Sequence, residues 1–374
     1  MRNRKLLQLL AAILAFGLVA GACGDSDSSD EGSAETTAAE STDTTVELNQ
    51  DGGSILDTVI SRGTLNCGVS GAAVAFSETQ PDGSQKGFDA DYCRVVAAAV
   101  LGDAEAINFV ALTAAERFTA VQTGDVDVLI RNTTWTQSRD SEIGMDFGPT
   151  TYYDGQQMMG RESDGFSAGS DIDDLDGLTI CMNAGTTTEK NIADAADAAG
   201  ISITLGGPFE EYDAVVQAFL DGTCDVITTD GSGLVGRKAV QEPAGENWII
   251  FPATPISKEP LGPTYAQNDS KWADAVNWAV YATIIADENG LTSANADAMV
   301  ADPPSAEIGR LLGGEGERQT AMGLPADAFF QAIKQVGNYD EIYTRNLGPV
   351  GLVRDGSANA GWLDGGLIYA PPAR

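Results

Sequence analysis

Two stretches of this chain, AVQTGDVDVLIRN (120–132) and AFLDGTCDVITTD (218–230), follow one plan. Each leaves an amphipathic helical pattern, ERFTAVQT or EYDAVVQAFLD, through a glycine suited to a helix C-cap (Gly124, Gly222) and enters a short apolar strand. Counted from that glycine, Asp127 matches Asp225, and further on Asn132 matches Asp230. A helix feeding a nearly continuous apolar strand is the texture of a parallel sheet covered on both faces. Earlier in each half stands a strand with its own cysteine, TLNCGVS around Cys67 and LTICMNAG around Cys181. The expected fold class is therefore α/β: two lobes of similar plan, each a mainly parallel sheet flanked by helices.

TTYYDGQQMM (150–159) and SKEPLGPTYAQND (257–269) are the candidate connections between the lobes. Helical patterns such as KWADAVNWAVYATIIADE follow the second, so the chain is expected to return to the first lobe. The expected boundaries are 54–154 for the first part of lobe 1, 155–262 for lobe 2, and 263–374 for the rest of lobe 1 with a C-terminal extension. Two crossings make a two-strand hinge, and ligands of open α/β sheets sit outside the carboxyl ends of strands. That puts Asn132 and Asp230 on facing walls of one cleft. The cysteines bear on the same hinge. Cys67, Cys93, Cys181 and Cys224 allow three pairings. Cys67 with Cys93 and Cys181 with Cys224 keeps each bridge inside one lobe, whereas either alternative staples the lobes together, so the within-lobe set is expected.

Residues 1–22 carry a basic start (Arg2, Arg4, Lys5) and an apolar run from Leu6 to Ala20, the form of an export signal peptide. VAGAC, ending at Cys23, resembles a bacterial lipoprotein box, which implies lipidation of that sulfur and anchoring to the cell membrane. From Cys23 to residue 53 the chain is acidic and Ser/Thr-rich with few large apolar side chains, so it reads as an extended linker. No later apolar run approaches the ~20 residues of a membrane span.

The formal net charge is -34, which argues against nucleic acid or anionic lipid as a partner. Histidine is absent, removing the commonest general base and zinc ligand and every imidazole-dependent triad. No C-x-x-C spacing suggests a metal or redox site, and neither metal nor cofactor is expected. In so acidic a chain, clustered arginines call for an assigned anion.

A free amino acid is a zwitterion, so a cleft that takes it out of water must supply both signs. A guanidinium fork with hydroxyl or amide donors suits the carboxylate, and a carboxylate suits the ammonium. Arg139, with Thr134 and Asn132 in RNTTWTQSRD, offers the first set just past a strand end. AGTTTEKN adds a helix start, with Thr186 and Glu189 at the spacing of a capping box and Thr187 beside them. Asp230, in VITTDGSG, follows an apolar strand directly. Each also has an ordinary reading: a surface arginine on a helix capped by Thr136, a helix start alone, a turn residue before glycine.

As an ordered set, GFDADYCRVVAAAVLGDA, LTAAERFTAVQTGDVDVL, RNTTWTQSRD, YYDGQ, AGTTTE, TTD and ISKEPLGP resemble the family 3 solute-binding proteins of ABC importers over about residues 55 to 370. The nearest likeness is to the general L-amino acid-binding subfamily. The resemblance implies a two-lobed periplasmic-binding-protein fold of type II and no enzymatic activity. It implies an extracytoplasmic monomer that captures L-amino acids, glutamate and aspartate among them, and hands them to the transmembrane subunits of an ABC permease. Carried over by position, Arg139 would grip the α-carboxylate with Thr134, Thr186 and Thr187. Asp230 would take the α-ammonium with Asn132 nearby, and Arg117 would meet a side-chain carboxylate. Where relatives place an aromatic residue early in the loop after the first strand, this chain has SGAAVAFS, small until Phe76, so a roomy pocket is expected. The rival reading is an enzyme on the same scaffold, a cyclohexadienyl or arogenate dehydratase. It needs a positioned acid or base, for which Glu78, Glu116 and Glu189 are the candidates.

Overall fold

The computed structural model describes residues 53–314 and 317–374. The expected signal peptide, Cys23 and nearly all of the expected linker lie outside the described residues.

Two five-stranded sheets carry the architecture. The first runs in the order Ile107–Ala111, Leu65–Val69, Val128–Leu129, Thr264–Ala266, Met145–Phe147. The second runs Thr204–Phe209, Thr179–Asn183, Val226–Asp230, Gln156–Arg161, Trp248–Phe251. In each, three neighbouring strands are parallel and the fourth is reversed. The reversed strand, Thr264–Ala266 or Gln156–Arg161, is the first strand the chain lays down after crossing from the other sheet, which is why its direction differs. The crossings themselves, Tyr152–Asp154 and Glu259–Leu261, pair antiparallel between the sheets. This is the two-lobed, type II periplasmic-binding-protein plan.

The repeated segments occupy equivalent places, and their aligned aspartates do the same work. Asp127 Oδ2 accepts from the Asn66 backbone N–H at 2.7 Å, while the Asp127 N–H donates to the Asn66 carbonyl. Asp225 Oδ2 accepts from the Thr179 N–H at 2.8 Å, while its own N–H donates to the Thr179 carbonyl. Each aspartate thus satisfies the start of the neighbouring parallel strand, Leu65–Val69 or Thr179–Asn183, where an unpaired amide would be costly. Beyond them the paired strands are fully buried at Val128 and Leu129, and at Val226 and Ile227.

Both disulfides have the within-lobe pairing, Cys67–Cys93 and Cys181–Cys224. The first ties the strand Leu65–Val69 to the helix Phe88–Leu101, and the second ties the strand Thr179–Asn183 to the chain entering Val226–Asp230. Closing loops with separations of 26 and 43 residues removes unfolded-state entropy worth about 3.5 and about 4 kcal/mol. Alanine replacement of both cysteines of either bridge is expected to lower stability by about 2–4 kcal/mol, read by denaturant unfolding of the two double variants. An unchanged midpoint in either variant refutes the assignment of that stabilisation.

The chain after residue 263 packs on the first lobe. Helices Ser270–Glu288, Ala328–Gln335 and Tyr339–Leu347 share one core with Phe88–Leu101, rich in alanines that permit close approach. The tail also reaches the crossing strands. Asn359 Nδ2 donates to the Tyr153 carbonyl at 3.0 Å and its Oδ1 accepts from the Tyr153 N–H at 2.7 Å, while the Tyr339 hydroxyl donates to the Thr151 carbonyl at 2.9 Å. Near the cleft, Gly87 at φ 128° lets the loop ending at Phe76 lie against the helix start; a Cβ there would come within 2.3 Å of the Phe76 carbonyl. No helix among the described residues is long and apolar enough to cross a membrane.

Candidate functional site

Between the sheets lies a cleft at the carboxyl ends of the parallel strands. The first lobe lines it with Ser70, Phe76, Arg117, Arg131, Asn132 and Thr134 among others; the second contributes Thr186, Thr187, Tyr212, Asp230 and Arg237. Asn132 holds a left-handed backbone, φ 32°, where a non-glycine residue is strained, and its N–H donates to Asp89 Oδ2 at 2.7 Å. Burial raises the Asp89 carboxyl to about 7, against the pull of the Asn132 N–H and of Arg131. Phe76 meets Phe88 and Tyr152 edge-on, with ring centres 5.9 and 5.4 Å apart.

Three guanidiniums gather on the first lobe. Arg131 donates from Nε to the Leu112 carbonyl at 2.8 Å. Arg139 donates from NH1 to the Thr134 carbonyl at 2.7 Å and lies over the Phe118 ring at 5.2 Å; it stands behind Thr134 rather than on the lining. Burial brings each of these two down to about 10. Arg117 lies over the same Phe118 ring at 4.9 Å and is 3% exposed, yet it makes no hydrogen bond among the described residues and its Nε is enclosed without a partner. Burial, then Arg139 and Arg131, depress its pKa well below the usual arginine value.

On the second lobe, Thr186 caps the helix Thr187–Ala199 by accepting from the Glu189 N–H at 3.1 Å. The capping box is only half made: Glu189 Oε2 accepts from the Gly185 N–H at 2.8 Å, one residue further back than the spacing predicts. The amides of Thr187 and Thr188 fall in the first turn, where no helical carbonyl can reach them. Asp230 is 6% exposed and lines the same cleft. Its carboxyl is pushed well above the ordinary range by burial, then by Asp154 and Glu259, with Arg139 and Arg117 opposing.

Two side chains that sequence reasoning missed join the lobes. Arg237, in an ion pair with Asp213, donates from NH2 to the Ala72 carbonyl at 2.7 Å across the cleft. Glu259, on a crossing strand, is 1% exposed and binds both lobes. Its Oε2 accepts from Thr134 Oγ1 at 2.6 Å and Thr187 Oγ1 at 3.0 Å, and its Oε1 from Asn191 Nδ2 at 2.8 Å and Ser257 Oγ at 2.6 Å. Thr134 and Thr187 therefore spend their hydroxyl hydrogens on Glu259, and only their amides remain as donors to a ligand. Glu259 stands within ISKEPLGP, but nothing local marks it as buried. Among the residues of RNTTWTQSRD without an expected role, Arg131 lines the cleft. Trp135 is half-exposed, stacks on Phe147 and donates to Asp140.

The three glutamates weighed for catalysis serve local backbone. Glu78 accepts from the Ala75 N–H, Glu116 from Thr113, and Glu189 from Gly185; none lines the cleft.

Comparison with known proteins adds lineage to this geometry. The profile described as bacterial extracellular solute-binding proteins, family 3, matches residues 65–349. The chain is 44% identical to the glutamate/glutamine/aspartate/asparagine-binding protein BztA of Rhodobacter capsulatus, over 86% of this chain and 94% of that one. It is 43% identical to the general L-amino acid-binding periplasmic protein AapJ of Rhizobium johnstonii, over 85% and 92%. A solved periplasmic binding protein of an ABC transporter from Brucella ovis, with glutathione bound, superposes with a TM-score of 0.81 at 42% identity, covering 86% of this chain and all of that one.

Proposed function

Because this chain belongs to the bacterial extracellular solute-binding proteins of family 3, we propose that it captures L-amino acids in the interlobe cleft and delivers them to an ABC permease. One observation carries the reading to this site. Arg117 and Asp230, opposite in sign and both nearly inaccessible, line one cleft from opposite lobes, and Arg117 Nε is enclosed there without a hydrogen-bond partner among the described residues. Burying each alone is unfavourable, and a zwitterion supplies a partner to both.

In this reading Asp230 takes the ammonium, with the strained Asn132 beside it. The α-carboxylate is held by the amides at the start of the Thr187–Ala199 helix under the Thr186 cap, and Arg139, outside the lining in this structure, reaches it past Thr134 with the guanidinium donors that the Thr134 carbonyl leaves free. Arg117 takes a side-chain carboxylate, which makes glutamate and aspartate favoured ligands among a broad set, and Phe76 closes the apolar wall. The lobes are divided at 154/155 and 262/263, and they move about the crossing strands that Glu259 bridges. The protein works as a monomer outside the cytoplasm, held to the cell membrane through a lipidated Cys23.

The glutathione in the Brucella ovis relative favours one extension of the ligand range. A γ-glutamyl peptide carries the same α-amino-acid end as glutamate, so the same two charges would receive it.

The test is thermal stabilisation against the common amino acids and glutathione, followed by calorimetry. Several L-amino acids should raise the melting temperature and be recovered unchanged after denaturation. Arg139→Ala should weaken every ligand alike by about 1.5–3 kcal/mol, the range of a charge-assisted hydrogen bond. Absence of stabilisation by any amino acid, or turnover of an arogenate-like acid, overturns the reading.

A further inference from the structure

Five buried side-chain atoms among the described residues lack a hydrogen-bond partner, on Gln85, Arg117, Gln156, Tyr212 and Gln319. Of these residues, Arg117 and Tyr212 line the cleft, and they belong to opposite lobes. Arg117 has a role in the reading above. Tyr212 does not.

Tyr212 opens the helix Tyr212–Leu220, and its hydroxyl is enclosed. An aromatic ring of this kind brings a large apolar body and one polar handle, and a buried handle normally finds a partner. Its neighbours do not supply one. Arg237 lies 5.5 Å from the ring centre, but its guanidinium is held by Asp213, by Gln241 Oε1 at 3.3 Å and by the Ala72 carbonyl at 2.7 Å. Arg237 therefore fixes the ring and spans the cleft. The loop it reaches to lines the cleft with Ala72, Ala73 and Val74, which leave room and offer no side-chain hydrogen bond.

Resting on the amino-acid reading, we propose that the Tyr212 hydroxyl is the second-lobe anchor for the far end of the ligand side chain. The cleft thereby prefers L-amino acids whose side chains end in a carboxylate or carboxamide. With the ammonium committed to Asp230, such a side chain extends along the Ala72–Val74 wall. Its terminal oxygens accept from Arg117 on one lobe and from the phenol on the other, so selectivity is assembled only when the lobes meet.

Calorimetric titration of wild-type protein and Tyr212→Phe with glutamate, glutamine, alanine and leucine tests this. The phenylalanine keeps the ring, its contact with Arg237 and the apolar volume. Glutamate and glutamine should bind about 5- to 20-fold more weakly, the loss of one hydrogen bond to a neutral or charged acceptor, and alanine and leucine should change less than about 2-fold. The ligand-free variant should melt no lower than wild type, because an unpartnered hydroxyl has been removed. An equal loss for all four ligands assigns Tyr212 to the common amino-acid end and overturns the proposal, as does no loss for any. If wild-type protein binds none of the four, the amino-acid reading itself has failed, a result distinct from either.

Discussion

Replacing Asp230 by asparagine should weaken binding of every amino acid by about 2–4 kcal/mol, roughly 30- to 1,000-fold, because it removes the only charge assigned to the ammonium. Asparagine keeps the shape and one acceptor oxygen, so the loss reports charge. The same substitution should abolish a pH effect. Burial raises the Asp230 carboxyl well above its ordinary 3.8, with Asp154 and Glu259 pushing the same way and Arg139 and Arg117 opposing. A carboxyl raised in the folded state favours its protonated form there. Its contribution to ligand-free stability is fully present below the ordinary value and is lost as pH rises through the raised one. Binding has the opposite sign, because an incoming ammonium stabilises the carboxylate and draws the pKa back down. Affinity should therefore rise with pH across the raised value, and binding should release a proton. Calorimetry in buffers of different ionisation enthalpy measures that release. A proton count that is the same in wild type and Asp230→Asn would remove Asp230 from the ammonium site.

Features that depend on nearby chain were legible in the sequence. The C-cap glycines act within their own segments, and the order of helix, glycine, aspartate and apolar strand repeats in 120–132 and 218–230 whatever distant partners the aspartates take, so the shared pattern predicts two sheets of one plan. The cysteine pairing was legible for a mechanical reason, since a hinge rules out bridges between lobes. What depended on distant partners was not. Glu259 binds Thr134 and Thr187 from 125 and 72 residues away, and no local pattern in SKEPLGP announces a buried carboxylate. For the same reason no local pattern shows that the hydroxyls of Thr134 and Thr187 are already committed to a protein acceptor. The Thr186 cap was local and visible, but whether Glu189 closed the box on Thr186 or on Gly185 turned on the left-handed Gly185, φ 73°. Nothing local marks Arg117 as buried, and its enclosure follows from the three-dimensional packing of Phe118 and the other guanidiniums.

That enclosure makes Arg117 the residue whose replacement should separate stability from function. Three guanidiniums crowd the first lobe, and two have protein acceptors: Arg131 on the Leu112 carbonyl and Arg139 on the Thr134 carbonyl. Arg117 has the Phe118 face and the distant attraction of Asp230, against burial and two like charges. A buried charge without a hydrogen-bonded partner destabilises the fold, and an apolar side chain of similar length relieves the penalty. Arg117→Met should therefore raise ligand-free stability by about 1–4 kcal/mol, measured by denaturant unfolding. It should also cost about 1.5–3 kcal/mol in binding glutamate and aspartate, roughly 10- to 150-fold, while alanine and leucine lose less than about 3-fold. The two changes share one cause: the ligand's second carboxylate is the partner the protein itself withholds. A fall in ligand-free stability would mean that Arg117 is satisfied without ligand. A uniform loss across ligands would place it on the α-carboxylate and leave Arg139 as its support through Thr134.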